Sequence, residues 1–135
     1  MMKKRHIFLL LAGTLLYFFV NFQRTAIPGT IFNELLTTLN VSAKDITALG
    51  SAFMYIYAVC QLLTGLVVNR YGGFRTILLG GFFFMLGCLL FPFAESLWQM
   101  YVLRACAGLG ASCLYLSMID ELSRLYPKNF TNLFG

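Results

Sequence analysis

The stretch GLVVNRYGGFR, residues 65–75, decides how this chain folds. It sets two arginines, an asparagine and three glycines between two long apolar runs. Read locally, Gly72-Gly73 reverses the chain, and Arg70 and Arg75 anchor the turn among lipid headgroups. On either side, residues 46–68 and 76–94 supply 23 and 19 positions, and a bilayer core takes about 20 residues in a helix. The turn therefore joins two membrane helices.

Working outward, residues 97–119 form a further span of 23 residues. At the other end, Ile7 to Val20 gives 14 apolar positions, roughly 21 Å of helix at 1.5 Å per residue. That falls short of a hydrocarbon core of about 30 Å. The first span therefore continues through Asn21, Gln23 and Arg24 into AIPGTIF and covers residues 7–36, with a bend expected at Pro28-Gly29. The reading is an all-α integral membrane fold: one domain over 1–135, four transmembrane helices at about 7–36, 46–68, 76–94 and 97–119, and a tail over 120–135.

Composition agrees. Of 135 residues, 59% are hydrophobic and 11% charged, where soluble domains carry roughly 25% charged residues. Mean hydropathy is +0.78. The net charge of +5 is scattered between apolar runs, not gathered on one polar face, which argues against a nucleic-acid partner. With the N-terminus in the cytoplasm, Lys3, Lys4, Arg5, Arg70, Arg75, Arg124 and Lys128 fall inside and only Lys44 outside. That asymmetry places both termini in the cytoplasm of a multi-pass protein of the cell membrane. The start MMKKRHIFLLLAGTLLYFFV mimics a signal peptide, but no small-residue cleavage site follows.

Several function classes drop out. Cys60, Cys88, Cys106 and Cys113 all lie in apolar segments without metal-finger spacing, so they read as small core residues. Neither a metal nor another cofactor is expected. No nucleophile–base pair is present, and the single histidine, His6, is juxtamembrane, so an enzyme is not expected. The sequons at Asn40 and Asn129 read as chance matches. Trp98 reads as an interfacial anchor, and Gly80, Gly81, Gly87, Ala107, Gly108, Ala111 and Ser112 as surfaces for close helix approach.

Beyond its local reading, the 65–75 loop resembles the signature loop of the major facilitator superfamily, which joins that family's second and third helices. Gly65, Arg70, Gly72 and Arg75 match the motif. Asn69 stands where the family has aspartate, whose carboxylate closes a cytoplasmic latch on a helix N-terminus in the other half. Asparagine still caps a helix, but it loses a charge–dipole attraction of about 0.3–1 kcal/mol. In FMYIYAVCQLLTGLVVNRYGGFR, residues 53–75, Tyr57 and Gln61 lead into the loop as in the organic-anion branches. Leu63 replaces a proline common there. RACAGLGAS, residues 104–112, is similar to the arginine-led, glycine-rich fourth helix, and RLYPKNF to the basic loop before the fifth. The resemblance covers almost the whole chain. It implies the first four helices of a six-helix half, in a twelve-helix carrier with its substrate between halves.

Arg24 and Arg104 are the candidate solute-binding residues. A charge in mid-membrane costs about 2.5–3.5 kcal/mol on insertion scales, so each should face protein or water. From Ile7, Arg24 lies about 25 Å above the inner boundary, and from Leu97, Arg104 lies about 10 Å below the outer one. Tyr55, about 20 Å above the inner side, falls in the same layer. The planar fork of arginine suits a carboxylate or phosphate, so the expected partner is a small organic anion. In the organic-anion branch an arginine on the first helix commonly meets the substrate. The alternatives are that Arg24 snorkels to the interface and that Arg104 holds a structural network. Gly65, Asn69, Arg70, Gly72 and Arg75 form the expected cytoplasmic gating loop. Glu34 reads as an exposed end residue. No buried carboxylate marks a coupling site, so H+ and Na+ are not distinguished.

These residues point to the N-terminal part of a secondary active transporter working by alternating access. Four helices lack an opposing half, so the chain is expected to be truncated and inactive alone. A different class stays open: a stand-alone four-helix membrane protein with an assembly or regulatory role. A dimeric multidrug-type exporter fits less well, because its first helix carries a glutamate where this one centres on Arg24.

Overall fold

A computed structural model describes residues 4–125, in which every element is helical. Lys3 and residues 126–135, which include Lys128, the RLYPKNF basic stretch beyond Leu125 and the second sequon, lie outside the described residues. In chain order the helices are α1 (Lys4–Gly29), α2 (Phe32–Leu39), α3 (Ala43–Tyr71), α4 (Gly73–Leu90) and α5 (Leu97–Leu125), with a single 3-10 turn at Phe91–Phe93. Ala43–Tyr71, Gly73–Phe93 and Leu97–Arg124 are each long and apolar enough to cross a membrane.

Local chemistry sets the boundaries. Where the apolar pattern over 7–36 reads as one bent span, the chain forms two helices. The α1 ladder stops after Pro28-Gly29, and the amides of Thr30 and Ile31 both turn back to the Ala26 carbonyl at 2.8 and 3.2 Å. The short α2 ends at Asn40 in the left-handed conformation, φ 51°, which asparagine tolerates better than most residues. Ser42 then opens α3 with a capping box. Its hydroxyl accepts from the Asp45 amide at 3.3 Å, while the Asp45 carboxylate accepts from the Ser42 amide at 3.1 Å. Ser96 and Gln99 make the same reciprocal arrangement at the start of α5, satisfying amides that a helix start leaves unpaired.

The polar loop shrinks to one residue. Between α3 and α4 only Gly72 leaves the helical conformation, at φ 84° and ψ 155°, a region essentially reserved for glycine. Its amide donates to the Val68 carbonyl at 2.8 Å. Its own carbonyl accepts from the Thr76 hydroxyl at 2.9 Å. Hydropathy marks where side chains leave lipid, not where the helix ends, so Asn69, Arg70 and Arg75 remain helical while exposed.

Packing is uneven. The α4–α5 pairing is the most extensive and α3–α5 the next, which makes α5 the central helix. Small residues let α4 and α5 approach backbone to backbone. A Cβ at Gly87 would fall 2.6 Å from the Leu103 carbonyl oxygen, one at Gly80 would fall 2.6 Å from Cys113 Cβ, and one at Gly110 would strike the Phe84 amide. Membrane helices gain no hydrophobic drive from pairing with each other rather than with lipid, so close van der Waals contact of this kind matters most. One core cluster joins Val20, Phe53, Phe84, Ala107, Ala111 and Leu114. A second, under α2, joins Leu35, Ile46, Leu49, Phe91 and Met100. The outer faces stay apolar: Leu62 is 81% and Phe93 79% exposed.

Candidate functional site

Arg104 sits at the centre of the bundle, with 1% of its surface exposed. It projects from α5, and its Nη1 donates to the Gln23 carbonyl of α1 at 3.0 Å. The guanidinium carbon stands 4.8 Å from the centroid of the Phe53 ring on α3. Nε and Nη2 have no hydrogen-bond partner among the described residues. A cation over an aromatic face gains about 2 kcal/mol when desolvated, and the bond to Gln23 adds a charged donor. One side chain thereby ties three helices together.

Arg24 occupies a different setting. It is exposed within the bundle and makes no hydrogen bond or ion pair among the described residues. Its side chain lines a cavity of about 510 Å³ that α1, α3 and α5 enclose with the start of α4. Asn21, Tyr57 and Gln61 line the same cavity. Tyr17 and Tyr115 also line it and pack against each other, with ring centroids 5.8 Å apart and planes 33° apart. Tyr57 stacks on Phe53 at 6.2 Å and 11°. At the far end, Glu121 contributes a carboxylate that lies beside Gly73, where a Cβ would come 2.9 Å from its Oε1. The positive end of the α4 helix dipole makes that a favourable place for negative charge.

The sequence-derived candidates therefore separate. Arg24 and Tyr55 border one open groove between α1 and α3, on the rim of which Tyr55 is 73% exposed. Arg104 lines neither this groove nor the cavity. Its level does match that of Arg24, because it bonds the residue just before it on α1. The loop residues lie at the opposite end. Asn69, Arg70 and Arg75 are exposed, and Arg70 rests 5.6 Å from the Tyr71 ring. Gly65 has open space where a Cβ would point. Nearby, Arg124 pairs with Asp120 across one helical turn at 3.0 Å.

Sequence reasoning missed Tyr17, Asn21, Tyr115 and Glu121 as lining groups and gave Tyr57 and Gln61 only by resemblance. A signal for the first helix existed. Tyr17, Asn21 and Arg24 follow the i, i+4, i+7 spacing of one helix face, and Tyr57 and Gln61 stand four apart on α3. Polar residues repeating at that spacing in apolar helices mark a face turned from lipid.

Comparison with known proteins adds the lineage. The Major Facilitator Superfamily profile matches residues 13–134. Human monocarboxylate transporter 7 is 27% identical over 101 residues, which covers 74% of this chain and 19% of that protein. The probable anion transporter 3, chloroplastic, of Arabidopsis thaliana is 32% identical over 93 residues, 67% of this chain and 18% of that protein. Sugar transport protein 12 of Arabidopsis thaliana is 31% identical over 83 residues, 61% of this chain and 16% of that protein. The chain thus spans less than a fifth of the length of these relatives, which are transporters rather than enzymes. No solved structure matches it significantly. With its glycine turn between two apolar helices and a largely apolar cavity that holds a few polar groups beside a central helix, the chain belongs to the Major Facilitator Superfamily.

Proposed function

We propose that this chain is the N-terminal part of a secondary active transporter that carries a small organic anion by alternating access. In this reading four helices span the membrane, α1 with α2 as the first, and both termini face the cytoplasm. The observation that carries the substrate class is Arg24: a permanently charged guanidinium without an anionic partner among the described residues, lining a cavity among apolar helices. Keeping a charge there is costly unless a counter-charge or water meets it. A carboxylate supplies both charge and the planar geometry for two parallel N–H···O bonds. Two relatives carry monocarboxylate and anion in their names, which supports the same class, whereas the third is a sugar transport protein.

Arg104 then acts at a distance. Its bond to the Gln23 carbonyl fixes the height and rotation of α1, and with them the position of Arg24. Tyr55 stands on the rim of the groove that leads to Arg24. Gly65, Asn69, Arg70, Gly72 and Arg75 form the cytoplasmic gating loop, with asparagine making a weaker latch than aspartate. Uptake of labelled acetate and lactate by cells expressing the completed carrier, this chain joined to the remaining helices, tests the reading. Uptake should fall about 10- to 100-fold in Arg24→Ala, the loss expected when a charged hydrogen bond of about 1.5–3 kcal/mol is removed. Unchanged uptake in that variant removes Arg24 from the site.

A further inference from the structure

Beyond the single cation, the cavity has a wall chemistry of its own. Tyr17 from α1, Tyr57 from α3 and Tyr115 from α5 all line it. Their rings come from three different helices and converge on one space, so no single helix pattern produces them. Tyr17 and Tyr115 pack on each other as a tilted pair in the cavity wall at 5.8 Å, and Phe53 backs Tyr57 in parallel at 6.2 Å. Tyr17 stands seven residues before Arg24 on α1, about 10 Å along the axis. A carboxylate held by Arg24 therefore directs the rest of its molecule into a ring-walled slot.

The charge pattern narrows the class further. Among the described residues lining the cavity, Arg24 is the only cation, and the only other formal charge is the Glu121 carboxylate at the far end. A second anionic group on the solute would find no cation there and would meet that carboxylate. From this we infer that the cavity selects monoanions built as a carboxylate on an aromatic ring, in preference to aliphatic acids of equal size and to dicarboxylates. Ring faces and edges attract a planar aromatic solute through their quadrupoles, beyond area burial alone. The inference rests on the reading of Arg24 as the anion-binding residue.

The test measures binding of labelled benzoate to the purified chain in lipid nanodiscs, with cyclohexanecarboxylate, acetate and succinate as competitors. Benzoate should bind about tenfold tighter than cyclohexanecarboxylate, the factor one aromatic pair contributes near the top of its range. Succinate should compete no better than acetate. Tyr57→Leu and Tyr115→Leu should each remove most of the benzoate advantage over cyclohexanecarboxylate, and Tyr115→Phe, which keeps the ring, should retain it. Arg24→Ala should abolish binding of all four acids. Equal binding of benzoate and cyclohexanecarboxylate, or strong succinate competition, with Arg24 dependence preserved, overturns the aromatic inference and leaves the anion reading standing. Binding of none of the acids overturns both.

Discussion

Two arginines at one height in the bundle have opposite surroundings. Arg104 is enclosed, stacked on Phe53 and bonded to the α1 backbone. Arg24, one residue beyond the carbonyl that Arg104 holds, opens into a cavity and makes no hydrogen bond or ion pair among the described residues. The same contrast runs through the whole chain. On one side α4 and α5 meet backbone to backbone through glycines. On the other, α1 leans on α3 and α5 and leaves space between them. Lipid makes every apolar face acceptable, so stability concentrates where backbones approach most closely, and function is left to the region packed less tightly.

The largest expected effect comes from filling the tight side. Gly110→Val places a branched side chain against the Phe84 amide and the Gly80 carbonyl. It should destabilise the bundle by about 3 kcal/mol, the upper range for overpacking. Unfolding by denaturant in mixed micelles measures this. A loss below about 0.5 kcal/mol would mean that α4 and α5 separate without consequence. Next comes Arg104→Ala, which removes the cation over Phe53 and the bond to Gln23. We expect about 2–3 kcal/mol, together with weaker acid binding because α1 loses its tether. Cysteine cross-linking between α1 and α5 reports that displacement.

Gly72→Ala probes the turn that sets α3 against α4. At φ 84° and ψ 155° an alanine is strained by about 1–3 kcal/mol, and the same unfolding experiment reads it. An unchanged midpoint would show that the turn relaxes freely. The smallest stability change belongs to Arg24→Ala. With no bond to lose within the described residues, it should stay within about 0.5 kcal/mol of the parent, while acid binding disappears. A stability loss matching that of Arg104→Ala would erase the distinction between a structural and a solute-facing arginine.

Much of this organisation was legible in the residues. Apolar runs of membrane length, the glycine-bearing polar turn at 65–75 and the two intramembrane arginines all stood out without coordinates. So did the small residues of 104–112, five of which, Ala107, Gly108, Gly110, Ala111 and Ser112, are buried. The layer containing Arg24 and Arg104 followed from helical rise alone, and the bond from Arg104 to Gln23 has that geometry. Helix ends were read less well. The loop of seven residues proved to be Gly72 alone, since exposed polar residues stay helical past the lipid boundary. Tyr55 and Tyr57 differ by two positions, about 200° around a helix at 3.6 residues per turn. That rotation separates a rim residue from a cavity wall.

The sequence by itself determined the helices, their lipid-facing character and the positions at which charge lies deep within them. These depend on composition and on rise per residue along a single helix, and both are local quantities. Only the tertiary structure decided that Arg104 is spent on holding α1 while Arg24 faces open space, and that three tyrosines from three helices wall one cavity. Such neighbours depend on how each helix is rotated about its axis and tilted against the others. That rotation is set by glycine contacts and one guanidinium bond between segments far apart in the chain, which no window of consecutive residues contains.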